Sequence, residues 1–163
     1  MERVEWDALL RQLALSYSLL ESNGITNWVA SAGSEQFLRD LVASQTPNWA
    51  VTGSFGASEL VSVAAPEITM VYADDPDGIA ALTRLRPVRR GGNVVIALPY
   101  DDIVFDRTWH RNGITYASPA QLCVDCLTGP GRMPAEGEAL LDWLRARAPS
   151  WQAPSLIQPA DAP

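Results

Sequence analysis

The chain contains no lysine. All twelve cationic residues are arginine, set against nineteen aspartates and glutamates, for a net charge of −7. That balance excludes broad binding along a phosphate backbone, which needs a basic surface, but leaves room for one local basic patch. Cysteine is scarce, with Cys123 and Cys126 the only two, and histidine is reduced to His110. Two cysteines three positions apart make no secreted disulfide framework. One Cys-x-x-Cys pair with a lone histidine elsewhere makes no zinc set. No apolar run approaches the ~20 residues of a membrane span, and the charged residues 1–7 do not read as a signal peptide. The expectation is a cytoplasmic protein with no metal, no cofactor and no membrane association.

What is present suits one folded domain. The 163 residues are 47% hydrophobic and 19% charged, within the usual range for a single globular unit of roughly 100–200 residues. Residues 1–148 are expected to form one α/β domain. Residues 149–163, with Pro149, Pro154, Pro159 and Pro163, read as a proline-rich tail.

Periodicity orders the elements. Leu9, Leu10, Leu13 and Tyr17 recur at helical spacing. A short strand is expected at 26–30, then a helix capped by Ser34 and carrying Phe37, Leu38, Leu41 and Val42. Residues 49–52 read as a strand that turns at Gly53-Ser54 into a helix over 56–63. Residues 67–72 and 93–98 are β-branched and nearly continuous in apolar character, as buried central strands are. Between them Asp74-Asp75-Pro76 announces a helix over 76–85. Asn112-Gly113 marks a hairpin, Ser118-Pro119 opens a helix, and a last helix covers 135–147. Alternation of this kind implies a mixed sheet flanked by helices.

Four groups of residues are candidates for chemistry or contact. At Thr52-Gly53-Ser54 a strand meets a helix, where a glycine permits close backbone approach and amide groups can face an anion; the simpler reading is a tight turn with a serine cap. Asp74 and Asp75 pair at a strand end, as metal ligands or, more simply, as helix caps. Arg84, Arg86, Arg89 and Arg90 form the only basic cluster, either a partner-binding surface or a solvated loop. Cys123 and Cys126 fall within a helix and read as core packing. Six tryptophans are many for this length; Trp6 and Trp151, near the ends, are candidate anchors for a partner.

The Gly-Ser turn resembles that of polymerase-β-type nucleotidyltransferases, in which the next strand opens with alternating carboxylates that hold two metal ions. Here Glu67 stands in the first place and Thr69 in the second, and the strand at 93–98 offers no acid. The resemblance implies a nucleotidyltransferase-like core without its catalysis, with Thr52, Gly53, Ser54 and Glu67 as anion- or ligand-binding candidates and no catalytic residue.

A wider set of stretches runs in order along the chain. These are Tyr17-Ser18-Leu19-Leu20, Val51-Thr52-Gly53-Ser54-Phe55, Met70-Val71-Tyr72-Ala73-Asp74-Asp75-Pro76, Leu98-Pro99-Tyr100-Asp101-Asp102-Ile103-Val104-Phe105 and Leu127-Thr128-Gly129-Pro130-Gly131-Arg132. Over residues 6–143 this set resembles the C-terminal domain of actinobacterial helix-turn-helix regulators, grouped with AbiEi-type antitoxins of type IV toxin–antitoxin systems. The resemblance implies a non-catalytic regulatory domain that acts through protein contacts, with Arg84, Arg86, Arg89 and Arg90 as partner-binding candidates and a nucleotidyltransferase-type toxin as the partner. Such regulators carry an N-terminal winged helix, and no recognition helix precedes Trp6, so nucleic-acid binding is not expected of this chain alone. The competing expectations are a metal-dependent nucleotidyltransferase using Glu67 with Asp74 or Asp75, and a nucleic-acid-binding regulator using the arginine cluster.

Overall fold

The computed structural model describes residues 5–147, and the expected proline-rich tail lies outside them. Its centre is a seven-stranded mixed sheet in the order β4-β1-β5-β3-β2-β7-β6. The three inner strands are those with the most apolar sequences: β2 (Trp49–Thr52), β3 (Thr69–Ala73) and β5 (Val94–Leu98). Every residue of β2 and β3 is buried, as strands covered on both faces must be. β3 runs parallel to β5 and antiparallel to β2, with Met70 opposite Thr52.

Six helices flank the sheet. α1 (Trp6–Ser16), α3 (Gly53–Ser58), α5 (Pro119–Thr128) and α6 (Met133–Ala146) pack together, and α2 (Ser34–Ser44) packs against α4 (Pro76–Leu82). Phe37, Leu41, Tyr72, Ile79, Ile96, Leu122 and Leu140 lie wholly inside. The mixed α/β architecture expected from the alternation is therefore present. Among the described residues, no helix is long and apolar enough to cross a membrane.

Local chemistry explains several boundaries. Asp75 accepts a hydrogen bond from the Gly78 amide at 2.9 Å, with Pro76 at the first helical position, so the acidic pair before α4 does cap a helix. Asp75→Ala is expected to cost about 1 kcal/mol of stability, measured by urea unfolding. β6 (Trp109–Arg111) and β7 (Ile114–Tyr116) form the hairpin, turning through Asn112 and Gly113, both with positive φ. Ser118 caps α5 through the Gln121 amide.

Other boundaries differ from the sequence pattern. α2 is capped by Gly33, and Ser34 is its first helical residue, making no capping bond. α3 begins at Gly53 and ends at Ser58, so the Gly-Ser pair lies inside the helix, not ahead of it. The segment expected to be a plain loop holds a strand, β4 (Arg86–Val88), antiparallel to β1 (Gly24–Val29) at the sheet edge. On α1 only Leu10 is buried; Leu9 and Leu13 stay exposed because the helix meets chiefly α5. Trp28, Trp49, Trp109 and Trp143 are core, Trp6 is partly exposed, and Trp151 lies outside the described residues.

Candidate functional site

Strand β2 delivers the chain directly into α3, and the turn is tight enough to need glycine. Gly53 has φ +64°, and a side chain there would press on Met133 Cε at 3.2 Å and Met70 Sδ at 3.3 Å. Ser54 follows at the mouth of a cleft of about 340 Å³. Glu67, Ile68, Met70, Arg132 and Met133 complete most of its wall.

The serine hydroxyl is engaged. Ser54 Oγ donates to Glu136 Oε2 at 2.6 Å, and Arg132 Nε stands 3.3 Å from Glu136 Oε1. Glu136 is only 4% exposed. The protein therefore places its own carboxylate, paired with Arg132, where an anion would meet the turn, and a phosphate entering there would have to displace it. Arg132 also donates to the Ala65 carbonyl, which ties the start of α6 to the loop before β3.

The four turn candidates separate. Ser54 and Glu67 line the same cleft, with Glu67 exposed at its rim, while Gly53 is buried beside Met70 and Met133. Thr52 points inward and donates to Asp125 Oδ2 at 2.5 Å. Ile68, just ahead of β3, and Met70 on it line the cleft beside the turn. Thr69 lies on the opposite side of the pleat, wholly buried, its hydroxyl without a hydrogen-bond partner. A two-metal phosphoryl-transfer site needs carboxylates facing the turn from this strand. Glu67, ahead of the strand, is the one carboxylate this stretch offers and Ile68 and Met70 supply none, so the residues present do not fit such a pair. Among the described residues, no three His, Cys, Asp or Glu side chains cluster as metal ligands.

Glu67 and the Asp74-Asp75 pair stand at opposite ends of β3, whose five residues span ~16 Å. They do not converge. Asp74 instead accepts from Asn48 Nδ2 at 2.7 Å. Cys123 and Cys126 are free and buried in α5, and burial pushes the Cys123 thiol up to about 12, away from reactivity.

Beneath the turn lies a polar cluster that the sequence pattern does not reveal. Asp125, wholly buried on α5, accepts from Thr52, from Tyr17 at 2.7 Å, from Tyr72 at 2.8 Å and from Gln121 at 2.8 Å. Asn23 in turn donates to the Tyr17 hydroxyl. Burial holds the Asp125 carboxyl above the ordinary carboxylate range, and these hydrogen bonds pull it partly back. The same burial, with Asp125 alongside, pushes the Tyr17 and Tyr72 hydroxyls up. The available signal was a charged residue set inside the apolar run Leu122-Cys123-Val124-Asp125-Cys126. Glu136 gave less warning, since its partner Ser54 is 82 positions away.

A separate cavity of about 390 Å³ opens between α2, α3 and β7, floored by Leu38, Val42, Phe55 and Ile114. None of the sequence candidates lines it. The arginine cluster stands at the other edge of the sheet, with Arg84, Arg86, Arg89 and Arg90 all exposed.

No protein-family model, no curated protein and no solved structure matches the chain.

Proposed function

We propose that this chain is a non-catalytic regulatory domain that acts through contacts with another protein. The observation that carries the reading is the closed Gly-Ser turn. Its hydroxyl is held by Glu136, Gly53 is hemmed in by Met70 and Met133, and beside the lone carboxylate of Glu67 the cleft wall presents Ile68 and Met70 where further metal ligands would stand. A turn built this way joins α3 to α6 and serves the scaffold. The antitoxin-like motif set names the partner as a nucleotidyltransferase-type toxin. The buried free thiols suit a reducing cytoplasm.

Two measurements test this. The purified chain with labelled nucleotides and Mg²⁺ or Mn²⁺ is expected to give no incorporation, and Glu67→Ala to change nothing. Pull-down with the product of the neighbouring gene is expected to recover a complex. Incorporation that Glu67→Ala abolishes would overturn the reading in favour of an enzyme.

A further inference from the structure

We propose that the arginine edge of the sheet is a docking surface for an acidic segment of a partner protein, gripped by side chains and not by an added strand. The proposal rests on the reading of this chain as a protein-contact domain and names the chemistry of the contact.

The first argument is pairing. Arg84, Arg86, Arg89 and Arg90 are exposed, and none forms an ion pair among the described residues. Arg86 makes only a hydrogen bond to the Ser31 hydroxyl, at 3.1 Å. Elsewhere arginines find carboxylates: Arg11 with Glu138 at 2.7 Å, Arg111 with Glu59 at 3.2 Å, Arg145 with Asp7 at 2.9 Å. Acids outnumber arginines nineteen to twelve, so the isolation of these four is not for want of acids. Guanidinium groups kept free of internal partners present their forks to an incoming carboxylate.

The second argument is the backbone at Arg84. α4 ends with the Leu85 amide bonded to the Ala80 carbonyl at 2.9 Å and the Arg84 amide to that of Ala81 at 3.3 Å. This is a helix stop whose left-handed position normally takes glycine. Arg84 occupies it at φ +57°. Gln45 ends α2 in the same region, so the fold tolerates a side chain there; glycine would fit at least as well, and removing the Arg84 side chain therefore separates contact from folding.

The third argument decides how a partner binds. Pro87 pairs with Trp28 in β1. Without an N–H, proline can sit there only as a non-hydrogen-bonded pair, so its ring nitrogen and carbonyl face outward. A strand added to this edge would find no central donor. The usable groups are the guanidinium groups, with Leu82, 57% exposed two residues before Arg84, as an apolar neighbour. A segment mixing carboxylates with an apolar residue matches that surface. A nucleic acid offers similar anions but no aliphatic side chain to meet Leu82, and that difference favours the peptide.

The test is fluorescence anisotropy with the full chain and a labelled twelve-residue peptide of glutamates around one central leucine, beside a labelled twelve-nucleotide oligo-dT. The peptide is expected to bind in a salt-sensitive way, and the triple variant Arg86→Gln, Arg89→Gln, Arg90→Gln to weaken it at least tenfold. Arg84→Gly is expected to weaken it too while raising Tm by roughly 2–4 °C, a gain in folding and a loss in binding that no purely structural arginine would give. Pro87→Ile is expected to leave affinity within about twofold, since the ladder is not used. Absence of peptide binding, or peptide binding that survives the triple variant, would overturn the proposal. So would oligo-dT binding more tightly through the same arginines, or tightening by Pro87→Ile. Nucleotide incorporation by a chain that still binds the peptide would instead sink only the non-catalytic reading.

Discussion

Asp125→Ala is expected to cost about 3–5 kcal/mol of folding stability, a large share of the ~5–15 kcal/mol a domain possesses. The carboxylate is the common acceptor for donors from four places in the chain: Tyr17 after α1, Thr52 on β2, Tyr72 on β3 and Gln121 on α5. Alanine leaves these donors buried without their acceptor, and each unpaired group costs on the order of 1–3 kcal/mol. Relaxation and an entering water recover part of the sum. Urea unfolding of the two proteins measures the difference. A loss below about 1 kcal/mol would show that the tyrosines repair the cluster between themselves through their 2.8 Å contact.

Asparagine at the same position separates shape from charge. Burial raises the Asp125 pKa in the folded chain above its ordinary 3.8, so the folded state holds the proton more tightly than the unfolded state. The wild-type contribution from this group is therefore fully present below about pH 4 and is lost as pH rises through the raised value. Asp125→Asn does not titrate. Across that window the stability of Asp125→Asn relative to wild type is expected to improve steadily with pH. Unfolding curves collected at several pH values read the slope directly, and parallel slopes would mean that the carboxyl titrates alike in both states.

This cluster also marks where the sequence stops being informative. The β-branched runs at β3 and β5 identify buried strands because only such strands tolerate continuous apolar character. Asp75-Pro76 and Asn112-Gly113 identify a cap and a turn because their chemistry is local. β4 escaped because Arg86-Pro87-Val88 is only three residues long with a proline at its centre, and the strand exists only because β1 lies beside it. The start of α3 escaped for a similar reason. Gly-Ser-Phe-Gly-Ala-Ser has two glycines in six residues, so the packing of Gly56 and Ala57 holds the helix, not its propensity. Of the candidate site, Ser54 and Glu67 are placed together by the resemblance to a nucleotidyltransferase turn, and they do line one cleft. The groups that decide what that turn does, Glu136 and Met133, arrive from α6 near the other end of the chain.

Gly137→Ala should reveal how α6 brings them there. By propensity alone, alanine in mid-helix would stabilise the protein by about 1 kcal/mol. The packing opposes this more strongly. A Cβ at Gly137 would stand 2.6 Å from the Leu127 backbone nitrogen and 2.9 Å from its side chain. A backbone amide inside α5 cannot step aside as a side-chain tip can, so the two helices must part, at a cost of several kcal/mol. The expected net result is a loss of about 2–3 kcal/mol, read as a Tm lowered by roughly 4–12 °C. Glu136 adjoins Gly137 and Met133 lies one turn before it, so the same displacement should pull Glu136 from Ser54 and open the cleft between them. Limited proteolysis of the loop before β3, which Arg132 anchors through the Ala65 carbonyl, would report that opening as faster cleavage. An unchanged or raised Tm would mean that α5 and α6 separate freely, and that the close seat of Glu136 on the Gly-Ser turn does not depend on their contact.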